Sequence, residues 1–282
     1  MGVVFLARDV MLHRLVAIKV LRHDLNCVEE HRERFRREAR VTAQLNDDGI
    51  VAVHGFGESD DCSYIVMEYV RGVALGIRLT AVGKMDPDEA RAILVSLART
   101  LDHAHSNGVV HRDLKPENIL LEHESGRPLL TDFGVALSRS RDPLRSEVSR
   151  AFGTPHFMSP EQAAGEMDLD GRSDIYSLGV LAYLMLTGEP PFSAPHFAAI
   201  ASKHISEVPQ PVAERAPATP ADLASAIDRC LEKTPERRWR RAADLADALA
   251  AAHNRSQAPH WVSKIGRFAA LSAIALILSG RS

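Results

Sequence analysis

Few patterns constrain a fold as tightly as a polar loop pinned between two apolar runs. Here that loop is His111-Arg112-Asp113-Leu114-Lys115-Pro116-Glu117-Asn118, which follows Val109-Val110 and closes into Ile119-Leu120-Leu121. The closing run reads as a buried strand. After one more strand comes Asp132-Phe133-Gly134. An Asp, an Asn five residues later and a second Asp are thus delivered to one hairpin-like unit, offering one proton acceptor and two hard oxygen ligands. Either triplet alone arises by chance in many chains. Both in order, with Lys115 and Asn118 between them, do not.

That set is what phosphoryl transfer from a magnesium nucleotide requires. On these motifs the chain resembles the protein kinase family, specifically the eukaryotic-like bacterial Ser/Thr kinases, over residues 1 to about 250. The resemblance implies an α+β, bilobal fold: a small antiparallel sheet with one helix over residues 1–70 and a larger helical lobe over 71–252. It implies a non-specific serine/threonine protein kinase that uses ATP with Mg2+ (Mn2+ also fits) and acts on protein substrates. Asp113 would accept the substrate hydroxyl proton, Lys115 would neutralise the γ-phosphate in flight, and Asn118 and Asp132 would hold the metal.

The N-terminal part supplies the rest. Residues 3–7 and 14–21 are apolar, β-rich runs joined by a polar turn around Arg8-Asp9 and read as adjacent antiparallel strands. The second contains Val16-Ala17-Ile18-Lys19. A lysine there either snorkels to solvent or must be paired, because a buried ammonium is costly alone. The resemblance selects pairing, with phosphates and with a glutamate on the next helix, expected over Val28–Leu45. Glu38, in R-F-R-R-E-A, is that partner; most other charges on the segment form a solvated face.

Strands are expected at 50–56 and 63–70. By resemblance the second runs into a hinge, with Met67 as gatekeeper and the main chains of Glu68 and Val70 on adenine. Val4, Ala17 and Leu120 would wall the base, though each taken singly reads equally well as core. Asp86-Pro87 opens a helix whose apolar face runs from Ala90 to Ala104 and stops at Asn107-Gly108; His103 and His105 near its end read as structural.

Residues 135–152 carry Ser138, Ser140, Ser146 and Ser149 without periodicity and look like an activation segment. Autophosphorylation at Ser146 or Ser149 is expected, with Arg112 as the phosphate's bidentate partner. Gly153-Thr154-Pro155 and Ser159-Pro160-Glu161 resemble the family's substrate-binding loop and its A-P-E element, with Thr154 on Asp113 and Glu161 paired to Arg238. An apolar helix over Ser173–Thr187 includes Asp174, out of place unless it bonds buried backbone. A Pro-rich loop follows over Val208–Pro220, then helices over Ala221–Leu231 and Ala242–Ala252.

Two departures stand out. The family's G-x-G-x-x-G-x-V loop survives only as Gly2 and Val4, so either the start lies upstream, the favoured reading, or nucleotide binding is weakened. After a juxtamembrane-like linker over 253–267, the uncharged run 268–280 would span roughly 20 Å as a helix, short of the ~30 Å hydrocarbon core. It reads as a marginal membrane anchor behind a cytoplasmic kinase, a peripheral tail or a piece of a longer anchor. The net charge of -3 gives no basic footprint for nucleic acid. Three scattered cysteines argue against a disulfide framework or zinc site. The family setting also leaves room for a homodimer. Two other classes stay open: a pseudokinase scaffold, motivated by the missing loop, and a small-molecule phosphotransferase of aminoglycoside type, which lacks counterparts of Lys115, G-T-P and S-P-E.

Overall fold

The computed structural model describes residues 2–59, 62–133 and 155–256, with side chains to residue 251. Expectations about Gly134, Ser138, Ser140, Ser146, Ser149, Gly153, Thr154 and residues 268–280 lie outside the described residues. Strands β1 (Gly2–Asp9) and β2 (Arg14–Leu21) form a hairpin in unbroken antiparallel register, from Gly2 opposite Leu21 to Asp9 opposite Arg14. The turn is not at Arg8-Asp9 but at residues 10–13. Asp9 Oδ1 accepts hydrogen bonds from Met11 N (3.1 Å) and Leu12 N (3.0 Å), so the aspartate begins the turn with its side chain. His13 closes it at φ 52°.

With β3 (Val53–Ser59) and β4 (Cys62–Glu68) the hairpin completes a four-stranded sheet of order β1-β2-β4-β3. The third strand begins later than residue 50 because Ile50 and Val51 are used elsewhere: Ile50 bridges to Leu130, and Val51 N donates to Leu130 O at 2.9 Å. A one-turn helix α1 (His23–Asn26) precedes α2 (Glu29–Thr42). Acidic Glu29 and Glu30 in the first turn of α2 suit its positive end. Phe35 and Ala39 from α2 pack with Leu21, Ile65 and Met67 of the sheet and Leu129 of the following unit.

A second sheet, unforeseen in its first member, joins β5 (Gly72–Ala74), β6 (Ile119–Glu122) and β7 (Pro128–Leu130). The polar loop 111–118 ends at the start of β6, and Asp132 follows β7. One small antiparallel unit therefore presents both carboxylate-bearing segments on the same side.

The remainder is helical: α3 (Leu75–Val82), α4 (Pro87–Ser106), α5 (Pro160–Ala163), α6 (Gly171–Thr187), α7 (Phe197–Ser206), α8 (Val212–Arg215), α9 (Ala221–Cys230) and α10 (Ala242–Ser256). Asp86 caps α4 by accepting from Asp88 N at 2.9 Å, with Pro87 in the first turn. Helix α6 is buried nearly all round, as a helix apolar on every face must be. It packs against α4 and α9 in one core with Leu97, Leu101, Ile119, Phe133, Leu178, Leu181 and Ile227. The family-type architecture of a sheet lobe over a helical lobe is thus present, with the polar loop at the junction.

Candidate active site

Lys19 reaches across from the sheet with its side chain only 5% exposed. Its Nζ lies 2.7 Å from Glu38 Oε1 and 2.9 Å from Asp132 Oδ1. Burial alone would push the ammonium pKa down, but the two carboxylates outweigh it and hold it above its ordinary value. Burial raises Glu38, beyond what Lys19 recovers. Asp132 responds in the opposite direction: burial is overcome by Lys19, with smaller help from Lys115, and its pKa is lowered. The cluster therefore keeps a fixed cation beside an ionised carboxylate that is partly open to solvent.

The polar loop is held from beneath. Asp174 of α6, 1% exposed, accepts from His111 N (2.8 Å) and Arg112 N (2.8 Å) and contacts His105 Nε2 at 2.7 Å. Burial opposes its ionisation; the bonds, His105 first, lower its pKa nonetheless. Gly171 leaves room for this arrangement, since a Cβ there would sit 2.4 Å from His105 Nδ1. Arg112 adopts φ 66° and Asp132 φ 59°, left-handed conformations that cost a non-glycine residue on the order of 1 kcal/mol or more. Surrounding bonds must over-determine both.

Within the loop, Lys115 Nζ lies 2.7 Å from Asp113 Oδ2. Asn118 Nδ2 donates to Asp113 O (2.8 Å) and Oδ2 (3.0 Å). The amide nitrogen is thereby committed to Asp113, and Oδ1 is the Asn118 atom left to ligate a cation. His111 is fully buried, and desolvation lowers its pKa. A neutral ring fits its bonds: Nδ1 accepts from Asp113 N (3.3 Å) and Nε2 donates to Thr131 O (3.2 Å). Thr131 N in turn donates to Asn118 O at 3.0 Å, so the two carboxylate segments are stitched together directly.

The residues expected to wall the base and form the hinge lie on two sheets and the stretch between them. Val4 stands directly opposite Lys19 in the hairpin and Ala17 opposite Met67 in the sheet, putting all of them on the face from which Lys19 reaches Asp132. Val4 is 57% exposed and Met67 buried. Ala17, Val70 and Leu120 each pack against the small core. Glu68 N is engaged by Ala52 O at 2.8 Å. Gly2 approaches the neighbouring strand so closely that a Cβ would lie 2.6 Å from Val20 O.

Further out, Glu161 and Arg238 form a buried bidentate pair, Oε1 to Nη1 at 2.7 Å and Oε2 to Nη2 at 2.8 Å, with Ser173 Oγ also on Oε1 at 2.6 Å. Burial resists the Glu161 charge, and the bonds from Arg238 and Ser173 lower its pKa despite it. Sequence reasoning missed Gln162 in this region. Its place in Ser159-x-x-Gln162 signals a capping box but gives no hint of its bond to Arg112 O at 2.8 Å.

A divalent metal needs hard oxygens, and Mg2+ commonly takes one or two protein oxygens with the remainder from phosphates and water. Asn118 Oδ1 and the Asp132 carboxylate suit that donor set. Among the described residues no cluster of three or more His, Cys, Asp or Glu side chains could hold a metal by itself.

Comparison with known proteins agrees with this geometry. The protein kinase domain family matches residues 1–249. The serine/threonine-protein kinase PknB of Mycobacterium tuberculosis is 40% identical over 99% of this chain and 46% of its own length. PrkC of Bacillus subtilis is 40% identical over 87% of this chain and 37% of its own. The chain thus spans less than half the length of these curated relatives. Among solved structures, the PknI kinase domain of Mycobacterium tuberculosis superposes with TM-score 0.69 at 30% identity, covering 89% of this chain and 91% of that one. A kinase of this family works with ATP and a divalent metal on protein substrates. The chain belongs to the protein kinase family, among the eukaryotic-like bacterial Ser/Thr kinases.

Proposed function

We propose that this chain is a Ser/Thr protein kinase that moves the γ-phosphoryl group of ATP, bound with Mg2+, to Ser or Thr hydroxyls of proteins. The observation that carries the reading is the convergence of Lys19, Asp132, Asn118 and Asp113 at the junction of the two lobes. The metal, when bound, neutralises phosphate charge; Asn118 Oδ1 and Asp132 would hold it, and Mn2+ suits the same oxygens.

Each side chain then has a task. Asp113, steadied by Lys115 and Asn118, orients the incoming hydroxyl and takes its proton. Lys19, braced by Glu38, grips the α- and β-phosphates. Lys115 lies beside Asp113 and offsets charge on the moving phosphoryl group. Val4, Ala17, Met67 and Leu120 enclose adenine, and with Glu68 N already spent on Ala52 O, Val70 N is the hinge donor to the base. The expected boundaries at residues 70 and 252, phosphate docking on Arg112, membrane association through residues 268–280 and homodimer formation belong to the same proposal, supported by sequence resemblance alone.

The test is Asp113→Asn. It should lower kcat by roughly 10²- to 10⁴-fold, with ATP binding and thermal midpoint kept. Normal turnover in this variant would remove Asp113 from the chemistry.

A further inference from the structure

Gln162 carries more hydrogen bonding than a helix cap requires. It occupies the third position of α5, where its N–H donates to Ser159 Oγ (3.2 Å) and its Oε1 accepts from Ser159 N (2.9 Å). A glutamate closes such a capping box equally well, because only an acceptor is needed. The amide end is the surplus. Gln162 Nε2 donates to Arg112 O at 2.8 Å, fifty residues away in sequence.

The recipient is no ordinary carbonyl. Arg112 sits at φ 66°, and its N–H is already fixed by Asp174 Oδ1 at 2.8 Å. With its carbonyl fixed as well, Arg112 is clamped at both backbone groups, by a buried carboxylate on one side and a carboxamide on the other. That carbonyl belongs to the peptide that leads into Asp113, so its direction sets where the Asp113 side chain emerges. The clamp is rigid because Gln162's neighbour Glu161 is locked by Arg238 and Ser173. We infer that Gln162 is a positioning residue for the transfer reaction: it ties α5 to the catalytic loop and holds the strained Arg112 backbone so that Asp113 faces the substrate hydroxyl.

This inference rests on Asp113 being the proton acceptor, and the test separates the two ideas. Gln162→Glu keeps the cap and replaces the donor to Arg112 O with an acceptor, setting oxygen against oxygen. Gln162→Met removes both contacts at similar volume. Purified full-chain variants are compared with wild type by hydrogen exchange of the His111 and Arg112 amides, thermal midpoint, and steady-state kinetics with ATP, Mg2+ and a generic Ser/Thr protein substrate.

For Gln162→Glu the expected result is faster exchange at His111 and Arg112, an unchanged midpoint, an unchanged KM for ATP, and kcat reduced about 3- to 10-fold, the effect of losing one ordinary hydrogen bond. Gln162→Met should show the same kinetic defect with some loss of midpoint from the broken cap. Unchanged exchange overturns the inference. So does a kcat within about twofold of wild type, or a parallel fall in midpoint, ATP affinity and kcat in Gln162→Glu, which would mark a purely structural contact. If wild type itself transfers no phosphate, the reading of Asp113 fails, while the exchange data still decide whether Gln162 holds the loop.

Discussion

Lys19 Nζ and Asp132 Oδ1 lie 2.9 Å apart although one belongs to the four-stranded sheet and the other follows β7 of the second sheet. Their contact, with Glu38 at 2.7 Å on the other side, is a side-chain tie between the lobes, beside the backbone tie of Val51 to Leu130, at the point where a nucleotide's phosphates would enter. Replacing Lys19 by Met removes the cation and leaves Glu38 buried without a partner. Such a loss costs about 3–5 kcal/mol where the pair is fully buried; since Asp132 is partly solvated, the lower end is expected. The transfer rate should fall roughly 10²-fold or more. Chemical denaturation and a phosphotransfer assay on the same sample measure the two effects separately.

Asp174 should be critical to the fold of the loop that carries Asp113. Asp174→Ala strands three donors at once, His111 N, Arg112 N and His105. Each buried orphan costs about 1–3 kcal/mol, so a loss of roughly 3 kcal/mol or more is expected, accompanied by lower kcat. Asp174→Asn keeps an acceptor and should lie between Asp174→Ala and wild type. Urea unfolding curves rank the three proteins.

His204 gives the fold an acid sensitivity of its own. It is buried on α7, with Nδ1 2.9 Å from Tyr176 Oη, and Lys233 Nζ donates to its backbone carbonyl at 2.8 Å. Burial, reinforced by the charge of Lys233, lowers its pKa from 6.5 to about 4. The unfolded chain therefore binds this proton first as pH falls, and the stability contributed above pH 6.5 is lost progressively towards pH 4. Between pH 7 and pH 5 the loss from this one group is about 2 kcal/mol. Buried carboxylates such as Asp174 and Glu161 add their own losses over lower pH. Comparing wild type with His204→Gln at both pH values isolates the histidine, and the variant should show the shallower fall.

How far the sequence could be read depends on where chemistry, rather than packing, sets the spacing. The interval from Asp113 to Asn118 and the position of Lys19 in an apolar strand are chemical constraints, and they stand out against composition. Glu38 follows from the family resemblance, and it lies on Lys19. Elements held by non-local pairing were harder. Strand β5 has three residues and exists through its register with Glu122, Leu121 and Leu120, far along the chain. Helix α7 follows a Pro-containing stretch and is not anticipated from the sequence. The hairpin turn falls after Arg8-Asp9 because Asp9, a turn former by type, accepts hydrogen bonds from the turn while its backbone still pairs with Arg14. The strained backbones of Arg112 and Asp132 leave no trace in residue propensity, since neither is glycine. Gln162 was invisible as a partner of Arg112 for a related reason: its local pattern is fully explained by a helix cap.

The central claim is that Asp132 and its neighbours carry a metal-bound triphosphate for transfer to protein hydroxyls. Incubating the wild-type chain and Asp132→Ala with γ-labelled ATP, Mg2+ and a generic protein substrate, followed by phosphoamino-acid analysis, tests it most directly. Wild type should place label on serine and threonine, and Asp132→Ala should fall to background while remaining folded. Equal labelling by the two proteins, or nucleotide binding by wild type without transfer to any protein, would contradict the account.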